Sequence, residues 1–502
     1  MSARSLMTRV FSALFLLAGA AAAEMPDPPP YYAITNANIV VGNGDVIENG
    51  TAVFAHGLVT AVGANVEVPA QALQIDGTGL TVYPGLIDAW TDLGLGSGRS
   101  PFGDRGGPPA ATRGGSRGGS QTPYSEGAED RPGTTPWKRA ADEIKTSDNR
   151  IEKWRDAGFT SAVTAPKVGI FPGTAGVINL AGERPAHMVV AHVAALPVQL
   201  EGNGGYRGYP GALFGRLSYV EQLFLDADHY GRSWNAWMEG GDAATGVTRP
   251  MYDRSLETLR FSHDHKLPMP VLGVWAKEIH RVIKLAETTG MRPVVLGAHQ
   301  GYAVADVLAE KNAAVVVSVD WPKKSRDGDP EADEPLRVLK MRDQAPSTPA
   351  KLAEAGVPFA FMSGELDGDD VIKGVKKAID AGLSEADAIR GLTLGAAEIF
   401  GVSQALGSLE KGKIANAVVT DGNLFDEKTK VKMVFVDGYK FEIKEKDDDD
   451  EGGPPWGRWP GAGSSAHDGH VAHDSYRAHD SSAHDSKATG HICGVEDERC
   501  ND

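Results

Sequence analysis

82-VYPGLIDAWTDLGL-95 is the stretch on which the reading of this chain turns. It opens inside a short apolar run, residues 80–86, and becomes polar at Trp90-Thr91-Asp92. Upstream, residues 32–41 and 51–62 read as strands, rich in Ile, Val and Thr and bounded by Gly and Asn. Far downstream, residues 417–420 and 432–441 are similar short strands, the last containing the turn Asp437-Gly438. Small β runs therefore flank a long middle section on both sides.

That middle section alternates. Strands are expected at 159–165, 269–274, 293–297, 313–319 and 357–362, with a further apolar segment at 189–200. Helices are expected at 277–288, 303–311, 370–381 and 384–394. Repeated strand–helix units imply parallel pairing through right-handed crossovers, and a section this long fits a closed β/α barrel better than an open sheet.

Composition bounds the rest. The chain has 502 residues, 41% of them hydrophobic, enough for one large domain and something smaller. A formal net charge of −17 argues against nonspecific binding to nucleic acid or to an anionic membrane surface. Residues 445–502 hold 14 acidic and 5 basic side chains, a net of −9, so about half of the acidity is a property of the tail. Arg4 and Arg9, the apolar run 10–19 and Ala21-Ala22-Ala23 read as an export signal cleaved after Ala23. An uncleaved anchor is the alternative, although the run is short for a bilayer span. No other run is long enough, so the mature protein is expected to be soluble and periplasmic or extracellular, with no stable membrane insertion. The only cysteines, Cys493 and Cys500, would close a small loop in the tail and cannot hold the main fold together.

Two segments read as irregular. Residues 94–122 are dense in Gly, Arg, Ser and Pro; their arginines would either clamp an anion or sit in a solvated loop. The tail from Glu445 repeats Ala-His-Asp at His467, His473, His479 and His484 and reads as disordered. Six of the 14 histidines lie between His467 and His491, interleaved with aspartates. That composition suits weak Zn, Ni or Cu handling or plain solubilisation.

The segment 82–95 resembles the first barrel strand of imidazolonepropionase-like amidohydrolases, which usually reads PGLIDAHxHxG. The stretch 407-GSLEKGKIANAVVTDG-422 is similar to that family's return into its small β domain, and 384-SEADAIRGLTLGAAEIFGV-402 to the helix pair before it. Residues 156–180 and 293–322 resemble one exported branch of the family. The likeness spans roughly residues 31–444, and its ordered set of pieces is more specific than any single one. It implies an α/β, TIM-like (β/α) barrel at 84–403. A small composite β-sandwich domain from both chain ends, 31–83 and 404–444, would sit beside it. Residues 1–23 would be the signal and 445–502 the tail.

The family's chemistry is hydrolysis of carbon–nitrogen bonds. Zinc or a similar divalent ion lowers the pKa of a bound water, and an aspartate shuttles the proton. In this chain Trp90 and Asp92 stand where the resemblance places two metal-binding histidines. Trp90 offers no lone pair to a metal; Asp92 offers a carboxylate. Val274-Trp275 stand where another histidine belongs. Ser363-Gly364 occupy the usual late-aspartate position, with Glu365 and Asp367 just beyond. Lys167 follows a strand and reads as a carbamylated bridge or, more simply, a surface lysine.

Barrel active sites lie at the C-terminal strand ends. Asp92, His299, Asp320, Glu365 and Asp367 all follow expected strands, so they are the candidate site. His299, Asp320, Glu365 and Asp367 are candidate catalytic groups, and Asp92 with His299 candidate metal ligands. The competing reading is helix caps and solvated loops. His263-Asp264-His265 spells HxH but precedes a strand, which puts it on the opposite face, and His187 is excluded likewise. Asp88 reads as structural. Three functions stay open: a hydrolase of cyclic or peptide-like amides with a rebuilt metal site, a noncatalytic protein binding a small-molecule ligand, and a metal-handling role in the tail.

Overall fold

The computed structural model describes residues 30–96, 131–200, 210–240, 246, 248–324 and 333–443. The export signal, most of the Gly/Arg-rich stretch and the His/Asp tail lie outside the described residues.

Both ends of the described chain build one eight-stranded sheet. Its members are β1 (Tyr32–Val40), β2 (Val46–Ala55), β3 (Leu58–Gly63), β4 (Leu73–Asp76) and β5 (Thr81–Pro84), joined by β14 (Ala417–Thr420), β15 (Val431–Val436) and β16 (Tyr439–Glu442). The order is β16-β15-β14-β5-β1-β2-β3, with β4 alongside β1. The ends meet where β14 runs antiparallel to β5, Val419 opposite Val82. Alternate residues of these strands point to one apolar layer holding Ile34, Ile39, Phe54, Val82, Val419 and Phe435. Phe435 packs edge-on against Tyr32 and Phe54, with ring centres 5.3 and 5.1 Å away.

The middle section holds two four-stranded sheets. One is β6 (Leu86–Thr91), β7 (Phe159–Thr164), β8 (Ala175–Asn179) and β9 (Val189–Ala195). The other is β10 (Pro268–Gly273), β11 (Arg292–Gly297), β12 (Ala314–Ser318) and β13 (Phe359–Met362), all parallel. Each of the expected middle strands and helices is present within a few residues of its expected ends.

Strand hydrogen bonds do not close these sheets into one ring, which corrects the expected closed parallel barrel. The reason is local. β8 is antiparallel to both neighbours. The connection from β7 to β8 carries Pro166, Gly169, Pro172 and Gly173 and contains no crossover helix. One seam, past β9, is joined by Leu196 N donating to the Pro268 carbonyl (2.9 Å) and Val198 N to that of Pro270 (3.0 Å). At the other, between β6 and β13, the contact is through a side chain: Asp88 accepts from Ser363 N at 3.1 Å and Ser363 Oγ at 2.8 Å. The architecture remains α/β and TIM-barrel-like.

Strand alternation separates two apolar faces. Ile87, Ala89, Val163, Leu296, Val316 and Ala360 share an inner cluster. Leu86, Phe159, Val295, Val317 and Phe361 pack on the other face under the helices. Among those helices, α1 (Arg150–Asp156) precedes β7 and α2 (Leu213–Gly240) follows β9. α3 (Ala276–Thr289) shows why the sequence folds so. Ile279, Val282, Ile283 and Ala286 recur at helical spacing and are buried. Glu278 accepts from Val274 N and Trp275 N, both at 3.1 Å, at its start. Gly290, at φ +68°, ends it in a left-handed conformation. α4 (Gly368–Asp380), α5 (Glu385–Leu392) and α6 (Leu394–Ile399) complete the fold. α6 closes the inner cluster at the strand starts: Ala396, Ile399 and the following Phe400 belong to it, and Arg292, first in β11, donates to the Ile399 carbonyl.

Candidate functional site

Trp90 sits near the end of β6 and packs against the inner cluster. Its indole stacks on Phe400, ring centres 6.1 Å apart and planes 24° from parallel. An imidazole at this position would offer a ligand nitrogen. The indole instead fills space among alkyl groups with a ring that has no lone pair to give.

Asp92, just past β6, is held by two cations. Oδ1 accepts from Arg150 Nη1 at 2.7 Å, and Oδ2 lies 2.8 Å from Lys167 Nζ. Arg150 Nη2 also donates to the Asp92 carbonyl at 3.1 Å and to Asp148 Oδ2 at 2.7 Å. Partial burial pushes the Asp92 carboxyl upward, but Lys167 and Arg150 outweigh it and hold the group below the usual aspartate range. Arg150, gripped first by Asp148 and then by Asp92, is pushed further toward its charged form. Lys167 is thus a cation serving Asp92; a carbamate there would set two anions face to face.

Asp320 is near enough to His299 for its charge to act on the imidazole. The turn after β11 runs through Gly297 and Ala298, both with positive φ (87° and 44°), and delivers His299 to the strand ends. The imidazole is buried, 9% exposed, and its Nε2 is 3.2 Å from the Ser318 carbonyl. Since a carbonyl only accepts, Nε2 carries a proton, and in the neutral form of the ring Nδ1 holds the lone pair. Burial lowers the pKa of His299, opposed by the Ser318 contact and by the Asp320 charge. Asp320 N donates to Ser318 Oγ at 3.3 Å, and its carboxylate reaches Lys323 at 3.4 Å. Trp321 leans on the imidazole, ring centres 5.8 Å apart.

The other candidates do not join them. Glu365 and Asp367 are both exposed in the turn after β13. Asp367 stands at the N-cap of α4, yet its side chain accepts no capping bond. His263 and Asp264 lie in the last turn of the helix Arg254–Asp264 and His265 just beyond it, ahead of β10, with His265 stacked on Phe261. His187 precedes β9, as read.

Nor do the expected ligands form a zinc site. Asp92 is engaged by Arg150 and Lys167 while His299 donates to Ser318, and among the described residues no three His, Cys, Asp or Glu side chains are arranged to hold a metal. As they stand, Asp92 and His299 do not form a donor set that fits the family's metal.

Sequence reasoning passed over Arg150. Its partner lies 58 positions away, and the only signal was an acid at a ligand position needing a counter-charge. Asp88, read as structural, is 1% exposed and is the side chain that joins β6 to the turn after β13.

The fold is thus α/β and TIM-barrel-like, with an indole and an ion-paired carboxylate at the two positions where the resemblance expects metal ligands. Residues 276–441 match the family model described as the amidohydrolase family. An amidohydrolase from Thermotoga maritima MSB8 is 25% identical, with a TM-score of 0.66 over 82% of this chain and 100% of its own. A prolidase complexed with N-methylphosphonate-L-proline is 18% identical, with a TM-score of 0.50 over 82% of this chain and 100% of its own. No curated protein matches the chain. The resemblance to the amidohydrolase superfamily thus holds in sequence over residues 276–441 and in fold over most of the chain.

Proposed function

We propose that this chain is an exported amidohydrolase-type scaffold that binds a small molecule and has given up metal-dependent hydrolysis at its strand ends. One observation carries the reading: both carboxylate oxygens of Asp92 are taken by protein cations, Arg150 at 2.7 Å and Lys167 at 2.8 Å. A divalent ion there would have to displace two ion pairs and then find its remaining ligands among groups that do not converge. The net charge of −17 opposes nucleic acid as a partner. No helix among the described residues is long and apolar enough to cross a membrane.

A hydrolase of carbon–nitrogen bonds with a rebuilt site is the second reading. The observation favouring it is the buried His299 imidazole, its pKa lowered by burial and acted on by the Asp320 charge, on the face where barrel enzymes work. Elemental analysis of two full-length forms separates the readings. One is the natural chain, and the other has its tail histidines from His467 to His491 changed to alanine. Metal absent from the second form, with no amide hydrolysis, supports the binding reading. One equivalent retained in the second form and lost on His299→Ala or Asp92→Ala would sink it. Metal found only in the natural chain would place metal handling in the tail.

A further inference from the structure

A cleft of about 620 Å³ opens on the sheet built from both chain ends, away from the strand ends of the middle section. That volume falls within the roughly 300–1,000 Å³ of small-molecule sites. It is lined by Tyr83 of β5, by Asn38, Val46, Glu48 and Asn49 of β1 and β2, and by Glu385 and Ile389 of α5.

Three features define what would fit. The charge is of one sign: Glu48 and Glu385 line the cleft, and no lysine, arginine or histidine is among its described lining residues. Glu385 Oε2 accepts from Asn423 Nδ2 at 2.9 Å, a neutral partner, and Lys376, whose charge also acts on Glu385, is bonded to Asp380 instead. The second feature is a buried donor. Tyr83 is 4% exposed, and its hydroxyl accepts from Leu424 N at 3.2 Å, which leaves its own proton without a described acceptor. A buried O–H without an acceptor is costly, so a ligand that accepts this proton gains from it. The third is apolar surface: Val46, 61% exposed, and Ile389 both line the cleft.

We propose that this cleft binds a small primary amine with an apolar body and a hydrogen-bond acceptor at its far end. The ammonium meets the Glu48 and Glu385 charges, the body lies along Val46 and Ile389, and the acceptor takes the Tyr83 proton. The proposal deepens the binding reading and rests on it, by naming a place and a ligand class.

Calorimetric titration of the full-length protein with tyramine tests it, with 4-ethylphenol as the match lacking the ammonium. Saturable tyramine binding at least tenfold tighter than that of 4-ethylphenol is expected. The double change Glu48→Gln and Glu385→Gln should weaken tyramine at least tenfold and erase the difference between the two compounds. Tyr83→Phe should weaken both several-fold. Unchanged thermal unfolding of each variant shows that the fold survives. No saturable heat with tyramine, equal affinity for the two compounds, or binding indifferent to the double change would each overturn the proposal. Metal found at the strand ends would overturn the wider reading alone, so the two fail separately.

Discussion

Asp88→Asn is predicted to remove a pH-dependent loss of stability. Asp88 is 1% exposed and accepts from Ser363 N, Ser363 Oγ and, at 3.4 Å, Trp90 N. Burial pushes its pKa from 3.8 up to about 7, against the pull of those donors. In the unfolded chain the group ionises near its ordinary value, so between the two pKa values the folded state holds a proton that the unfolded state has lost. Stability from this group is therefore full below about pH 4 and falls as the pH rises through about 7. About 3 pKa units at 1.36 kcal/mol each set a ceiling of roughly 4 kcal/mol on the loss. Asparagine is neutral and nearly the same shape; its carbonyl accepts from Ser363 N and its amide can donate to Ser363 Oγ. Denaturant unfolding of both proteins at pH 4.5, 6 and 8, followed by circular dichroism, is the assay. The variant should gain on the natural protein from pH 4.5 to pH 8 by a few kcal/mol. Parallel pH curves, or a variant uniformly less stable by the same amount, would refute the reasoning.

Arg150→Ala leaves Asp92 and Asp148 without the guanidinium between them. It should cost about 2 kcal/mol, the partial exposure of Arg150 holding it below a fully buried pair, and be seen as a lowered thermal midpoint. Asn416→Ala breaks a buried network in which Asn416 Nδ2 donates to Ser161 Oγ (3.0 Å) and Asn179 Oδ1 (2.9 Å), and Asn416 Oδ1 accepts from Asp437 N (2.8 Å). The expected loss is about 2–4 kcal/mol in equilibrium unfolding, while Ser161→Ala alone should cost less. Gly85→Ala places a methyl 2.0 Å from Thr160 Oγ1 and should cost about 1–3 kcal/mol. Adding Thr160→Ala should restore part of the loss, measured in the same way.

Which parts were legible in the sequence follows from how far each signal reaches. α3 was read almost to its ends because its apolar residues recur at helical spacing and Gly290 stops it. The sharing of one sheet by both chain ends followed from short β runs on either side of the middle and from the family resemblance. The direction of β8 did not, because residues 175–179 are a short apolar run whose periodicity says nothing about parallel or antiparallel pairing. α2 went unread as well. It buries Arg216 and Tyr230 while exposing Phe214, Leu225 and Met238, so its apolar face is broken.

At the site, strand-end logic placed His299 and Asp320 together. It also nominated Glu365 and Asp367, which the structure leaves in solvent, because position after a strand says nothing about which way a loop carries its side chains. That Trp90 and Asp92 stand where the resemblance expects histidines was visible at once. The ion pairs of Asp92 were not, since Asp92, Arg150 and Lys167 meet only in three dimensions.

Asp92 is ion-paired by Arg150 and Lys167, and we propose that these cations take the place of a metal there. The most direct test is diffraction at the zinc absorption edge from crystals of the full-length chain equilibrated with zinc. The account predicts no anomalous peak within bonding distance of Asp92 or His299, with Arg150 and Lys167 still on the Asp92 carboxylate. A fully occupied peak bonded to Asp92, with Arg150 or Lys167 swung away, would contradict it.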